Sequence, residues 1–321
     1  MVGTNYMKIK KLFIANRGEI AARIARSAKL LDIHTVAIKE GKNPKQFLTG
    51  LVDQFIEVEQ ETLEMYLNGS LMIQLAQSVG CDALHPGFGF LSENADFCRS
   101  VTEAGITWIG PSHLAIAKMA SKDQAREWLI LRNTSYSWYF GINFHSSDHE
   151  KIKEKINQDV GYPLLIKASY GGGGKGMRIC EDETTLLSQL ERATSEAISS
   201  FGNGSLIVEK YLPDLRHVEV QIIGDQDGNI VAIGDRDCSI QRRHQKIIEE
   251  CPAWDLSDNL KSSMAVCSIR LAKEVNYVSA GTVEFLVEGN NFYFLEMNTR
   301  LQVEHPVTEE VYGIDLVASY N

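Results

Sequence analysis

No run of apolar residues in this sequence is long enough to cross a bilayer, and no C-x-x-C spacing occurs among its cysteines. The first absence argues against a membrane span. The second argues against a paired-cysteine redox or metal motif. Cys81, Cys98, Cys180, Cys238, Cys251 and Cys267 therefore read as free thiols of a reducing compartment. An excess of positive charge is missing too. The formal net charge is −10, which excludes a nucleic-acid partner held by bulk charge. Residues 1–11 are polar and basic without an apolar centre, so no secretory signal is expected. A cytoplasmic protein, or one of a mitochondrial matrix, fits these absences.

What is present is an ordinary globular composition, 44% hydrophobic and 23% charged over 321 residues. That length suggests roughly two or three lobes. Residues 11–15 read as a short strand, followed by a helix with Ile20, Ile24, Ala28 and Leu31 on one face and a strand at 34–38. This β-α-β opening has only Gly18 in its first turn, so the dinucleotide fingerprint is absent and a structural use is expected. A helical pattern over 63–79 leads to a strand at 83–85 and the loop 86–94. His85 there reads as a structural loop histidine rather than a catalytic one. Residues 128–148 are dense in aromatics without a period, and no element is assigned to them.

Two later stretches carry chemistry. From Gly281 to Pro306, apolar and polar residues alternate on both sides of Gly289-Asn290-Asn291, which predicts a hairpin with a three-residue loop. That loop sets Val283 opposite Met297, Phe285 opposite Leu295 and Val287 opposite Tyr293. Glu284 then faces Glu296 on the other side, with Asn298 and Arg300 following. Facing carboxylates repel, so something positive belongs between them. Glu284, Glu296 and Asn298 are hard oxygen ligands suited to Mg²⁺ or Mn²⁺, and the alternative is a solvated strand face.

The second stretch is a strand at 162–168 followed by glycines at 171–174 and 176, with Lys167 and Lys175 as counter-charges. Such glycines let backbone N–H groups approach phosphate oxygens, or else form a flexible hairpin tip. It is not a Walker loop, because Gly176 stands where Ser or Thr should follow the lysine. The run Asp235–Lys246 is rich in cations. Alternation groups Gln241 with Arg243 and His244 with Lys246, an arrangement suited to anions or to a solvated edge.

The runs NRGEIAARI (16–24), HPGFGFLSEN (85–94), IKASYGGGGKGMR (166–178), RHVEVQ (216–221), RDCSIQRRHQKIIEE (236–250) and EMNTRLQVEHPVTE (296–309) together resemble the biotin carboxylase family. They are most similar to the biotin carboxylase part of acyl-CoA carboxylase α subunits acting on methylcrotonyl-, propionyl- or acetyl-CoA. The resemblance covers nearly the whole chain. It implies an α/β chain with a Rossmann-like lobe over residues 1–118 and an ATP-grasp fold over 119–321, with a mobile glycine-rich flap at about 135–207. It further implies that the family's C-terminal lobe lies beyond Asn321, so the expectation is a chain truncated before it. Residues 39–60 and 128–146 depart from the family's usual wording.

Carried over by matching position, the implied ATP ligands are Lys122, Lys167, Gly173, Gly174, Glu209, Lys210, Leu212, His217, Gln241 and His244. The implied metal ligands are Glu284, Glu296 and Asn298. Bicarbonate and biotin contacts fall on Lys246, Arg300, Gln302, Val303 and Glu304, with Glu304 as general base and Arg300 as catalytic arginine. The implied activity is that of a ligase: ATP, Mg²⁺ or Mn²⁺ and bicarbonate carboxylate biotin on a carrier. A biotin carboxyl carrier domain and a carboxyltransferase subunit would be partners, and a homodimer is implied. The readings left open are another ATP-grasp ligase, the biotin carboxylase part of another enzyme such as pyruvate carboxylase, and an ATP-binding remnant.

Overall fold

The computed structural model describes residues 8–39, 48–58, 63–120, 139–142, 149–168, 177–211, 215–242 and 245–320. Lys122, Gly173, Gly174, Leu212 and His244 lie outside these, as do the glycine run and most of the aromatic stretch.

The first lobe is a parallel sheet in the order β3-β2-β1-β4-β5. Its strands are β1 (Lys11–Ile14), β2 (His34–Lys39), β3 (Gln54–Glu57), β4 (Ala83–His85) and β5 (Thr107–Trp108). Helices α1 (Gly18–Leu30), α2 (Gly69–Ser78), α3 (Ala95–Glu103) and α4 (His113–Ala120) connect and follow them. Phe13 and Ile14 are both fully buried and fall in different clusters, as expected of a parallel strand covered on both faces. The helical pattern over 63–79 divides at Asn68. A short 3₁₀ turn (Leu63–Leu67) precedes it, and the Asn68 side chain caps α2 by accepting from the Leu71 N–H at 3.0 Å.

Strand order reverses between β1 and β4, the usual ligand crevice of such a sheet. Here protein fills it. Asn16 is buried and donates from Nδ2 to the carbonyls of Pro86 (2.7 Å) and Phe88 (2.8 Å). His85 accepts the Gly87 N–H at Nδ1 (3.0 Å), and burial, with His305 nearby, pulls its pKa down to about 3. The His85 ring thus holds the turn at Gly87 from inside the loop.

The remaining described chain forms two more sheets. One is β6-β9-β7-β8, built from β6 (Tyr139–Ile142), β7 (Leu164–Ala168), β8 (Arg178–Cys180) and β9 (Leu206–Lys210). It packs on α5 (His149–Asp159) and α6 (Glu183–Phe201) through Ile152, Ile156, Leu186 and Leu190. The other is β12-β11-β10-β13-β14. Its strands are β10 (Arg216–Gly224), β11 (Ile230–Arg242), β12 (Gln245–Glu250), β13 (Ser279–Glu288) and β14 (Asn291–Asn298). Val218, Val220, Val283, Phe285 and Met297 bury its inner face against α7 (Asp258–Glu274). Helix α8 (His305–Tyr312) lies over the opposite face.

The hairpin differs from expectation. Its turn has two residues, Gly289 (φ +57°) and Asn290, so Val287 pairs with Phe292 and Phe285 with Phe294. The expected pairs Phe285–Leu295 and Val287–Tyr293 do not form. Their replacement buries aromatic rings: Phe285 meets Phe292 edge-on at 5.4 Å and Phe294 at 6.4 Å. A bulge at Leu295 restores the expected register beyond it, where Val283 pairs with Met297 and Glu284 with Glu296.

The lobes are tied together. Leu301, Leu316 and Val317 join the cluster of Ile14, Ile20 and Ile24. Arg23 Nη2 donates to Glu309 Oε1 and Asp315 Oδ1, both at 2.8 Å, and Ser27 Oγ donates to Asp315 Oδ2 at 2.8 Å. Burial alone would raise the Asp315 pKa, but the bonds from Arg23, the Ala318 N–H and Ser27 hold it below the usual carboxylate range. A depressed carboxyl pKa stabilises the fold fully above its unfolded value and loses that effect as pH falls through the folded one. Asp315→Asn should therefore cost about 1 kcal/mol at pH 7. In urea titrations at stepped pH the gap to the parent should narrow below about pH 3.9. A gap constant down to about pH 3 would assign the effect to packing instead.

Candidate active site

The site is a row across four strands. Arg236 on β11 pairs with Glu219 on β10, Glu219 with Glu284 on β13, and Glu284 with Glu296 on β14. Alternation explains it. Val218, Val220, Val283 and Phe285 face the core, so Glu219 and Glu284 between them face the other way. Carboxylates on three neighbouring strands cannot stay buried and ionised without partners.

Lys246 supplies them. It stands on β12 opposite Gln241 of β11, and its Nζ reaches Glu219 Oε2 (2.6 Å), Glu284 Oε1 (2.8 Å) and Glu304 Oε1 (2.6 Å). Burial by itself would lower the pKa of this ammonium, but the charges of Glu219, Glu284 and Glu304 outweigh it and raise the value. Burial by itself would push Glu284 up, but His217 at 2.9 Å and the Lys246 charge drive it well below the carboxylate range. The second anchor of Glu219 is Arg236, fully buried. Arg236 Nη1 also donates to Gln221 Oε1 (2.9 Å) and to Thr308 Oγ1 on α8 (2.7 Å). Glu304 occupies the N-cap position of α8 without capping it, its carboxylate being turned to Lys246.

The expected residues fall into two described groups. In the first, His217 Nε2 lies 2.9 Å from Glu284 Oε2, and its Nδ1 meets Gln241 Nε2 at 2.8 Å. Asn298 Nδ2 donates to Glu284 Oε1 at 2.9 Å, and buried Gln302 does so at 3.3 Å. Arg300 donates from Nη2 to Asn298 Oδ1 at 3.2 Å and from Nη1 to the Leu301 carbonyl at 3.3 Å. Glu296 is half-buried opposite Glu284, and Val303 is exposed. The second group lies in the β6–β9 sheet: Lys167 Nζ is 2.5 Å from Glu209 Oε2, and Lys210 Nζ donates to the Tyr162 carbonyl at 2.6 Å.

Glu219 and Arg236 were not among the expected residues. The alternation of RHVEVQ holds the signal for Glu219, since it puts Glu219 on the face of His217, away from Val218 and Val220. The positive partner required of Glu284 is in part Lys246 itself. A divalent cation still suits Glu284, Glu296 and Asn298, three oxygen donors at the end of one hairpin. His217, Glu219 and Glu284 also bring ligand atoms within 4.8 Å of one another.

Removing the ammonium tests the array. Lys246→Met leaves Glu219, Glu284 and Glu304 clustered without their shared cation. Stability at pH 7 should fall by about 3 kcal/mol. Chemical denaturation should show the loss shrinking as pH falls, because Glu284 without the Lys246 charge takes up a proton more readily.

Residues 8–116 match the family described as biotin carboxylase, N-terminal domain. Residues 140–320 match the carbamoyl-phosphate synthase L chain, ATP binding domain. Over 98% of its length the chain is 44% identical to the mitochondrial methylcrotonoyl-CoA carboxylase subunit alpha of Glycine max, and spans 43% of that protein. It is 43% identical to biotin carboxylase 1 of Bacillus subtilis, covering 96% of this chain and 69% of that one. Among solved structures, it superposes with a TM-score of 0.86 on the biotin carboxylase domain dimer of Hydrogenobacter thermophilus 2-oxoglutarate carboxylase, in complex with MgADP, ADP and bicarbonate. That match is 42% identical and covers 98% of this chain and 69% of the other. With its parallel sheet followed by the antiparallel sheets of an ATP-grasp fold, and with these likenesses over nearly all of its length, the chain belongs to the biotin carboxylase family.

Proposed function

We propose that the chain is the biotin carboxylase component of a biotin-dependent carboxylase, using ATP and bicarbonate to carboxylate biotin on a carrier. The observation that carries this is Lys246 held between Glu304 and Glu284, with Arg300 joined to the same cluster through Asn298. A carboxylate base, an ammonium and a guanidinium converge there on one small-anion site. Glu304 takes the proton of bicarbonate, and the freed oxygen attacks the γ-phosphorus of ATP. The new O–P bond forms as the bond to ADP breaks, giving carboxyphosphate. Lys246 and Arg300 stabilise the anions.

Carboxyphosphate then yields CO₂ and phosphate. The phosphate takes the ureido proton of biotin, whose nitrogen attacks CO₂, while Arg300 neutralises the developing enolate oxygen. Gln302 and Val303 complete the bicarbonate and biotin contacts. Lys167, Glu209, Lys210, His217 and Gln241 serve the nucleotide, together with Lys122, Gly173, Gly174, Leu212 and His244. Glu284, Glu296 and Asn298 would hold Mg²⁺ or Mn²⁺, which when bound neutralises phosphate charge.

The likeness to the Glycine max protein favours an acyl-CoA as final acceptor, with the carboxyl group brought by a carrier domain and transferred by a carboxyltransferase subunit. The Hydrogenobacter likeness supports a second reading, with a 2-oxo acid as acceptor, and supports a homodimer. No helix among the described residues is long and apolar enough to cross a membrane.

The test is ADP release from MgATP with bicarbonate and free biotin, each omitted in turn. Release should require bicarbonate and rise with biotin. Cleavage indifferent to bicarbonate would indicate another ligase, and nucleotide binding without cleavage a remnant. Glu296→Gln should lower release at least about 10-fold with the fold intact, and unchanged release would remove the metal assignment.

A further inference from the structure

The first lobe has no part in the chemistry above, yet its loop 86–94 reaches the site. Glu93 accepts the Thr299 N–H at Oε1 (3.1 Å) and the Arg300 Nε–H at Oε2 (2.9 Å). One carboxylate thus grips two consecutive residues, fixing the backbone and the guanidinium of Arg300 together. With Nε engaged, Nη1 and Nη2 are left toward Gln302, the Leu301 carbonyl and Asn298. The next residue, Leu301, is fully buried in the first-lobe cluster, so the segment is held from both sides.

The loop offering Glu93 is built to be rigid. Asn16 binds the carbonyls of Pro86 and Phe88, and Phe90 stacks on Tyr66 at 5.1 Å. Gly87 has φ +66°, and a Cβ there would lie 2.9 Å from Asn16 Nδ2, so Asn16 and the loop close on each other. Asn94, next to Glu93, caps α3 by accepting from the Phe97 N–H at 2.8 Å. The Glu93 side chain itself is 41% exposed, so its ion pair adds little to stability. A bidentate contact on a rigid support orients more than it stabilises.

We propose that Glu93 is a positioning residue for Arg300, and that the β1–β4 crevice of the first lobe serves as its mount. This rests on the carboxylase reading for its consequence but not for its geometry. Glu93→Ala should lower biotin carboxylation on the order of 10- to 100-fold. It should leave ATP affinity within about 2-fold and the melting temperature within about 3 °C. Glu93→Gln, which keeps one acceptor oxygen for one of the two N–H groups, should restore part of the rate. Glu93→Ala combined with Arg300→Ala should be no slower than Arg300→Ala alone.

A readout independent of turnover is the ¹⁵N-resolved Nε–H resonance of Arg300, assigned by its loss in Arg300→Lys. It should move in Glu93→Ala and move less in Glu93→Gln, where one acceptor oxygen remains. If the parent chain shows no bicarbonate-dependent ATP cleavage, the carboxylase reading fails and this resonance alone decides the positioning claim. An unmoved resonance in Glu93→Ala, additive losses in the double variant, or a matching fall in ATP affinity would each overturn it.

Discussion

One ammonium against three carboxylates is the constraint on which the rest of this molecule depends. Glu219, Glu284 and Glu304 all contact Lys246 Nζ, and Arg236 is the other full cation in the array. Taken as ionised, these five groups sum to one negative charge, and the His217 ring lies beside Glu284 at 2.9 Å. Such an array tolerates little displacement, because each buried ion is stable only while its partners stay within hydrogen-bond reach. The architecture around it follows. Four strands hold the row in register, α8 is pinned through Thr308, and Arg23 pins the far end of α8 through Glu309. Residual negative charge is also what the proposed reading requires, a cation arriving together with a phosphate-bearing ligand.

Much of this was legible in the sequence, wherever one strand's pattern determined the answer. The pairing of Glu284 with Glu296 followed from alternation, as did the core positions of Val283, Phe285 and Met297. Alternation cannot see a bulge. The two-residue turn and the extra residue Leu295 cancel, so the pairing at the site was right while the pairing between them was not. Phe292 and Phe294 decided the matter, since burying two aromatic rings against Phe285 outweighs burying Tyr293 and Leu295.

Glu219 and Arg236 escaped notice for a different reason. Each lies on a strand whose own text reads as an ordinary polar face, and only the lateral order β11-β10-β13 makes them neighbours of Glu284. Charge compensation between strands is a tertiary fact. The same holds for Glu93, which lies 207 positions from Arg300 in sequence. What local periodicity conveys is the face a side chain occupies, and what it withholds is the company that face keeps.

The paired turn and bulge make the β13–β14 hairpin behave like a reading frame. Phe294 and Met297 are three residues apart yet both point into the core, which only the bulged Leu295 allows. A single-residue insertion between Gly289 and Asn290 would be taken up as a three-residue loop, leaving the aromatic pairs and the acids in place. Loss of Leu295 alone would set Phe294 directly before Glu296 and restore plain alternation, with Glu284 still opposite Glu296 and Thr282 opposite Asn298. Single length changes among homologous chains are therefore expected at the turn or at the bulge, whereas one inside the paired segments Asn291–Phe294 or Glu296–Asn298 would put the hairpin out of phase.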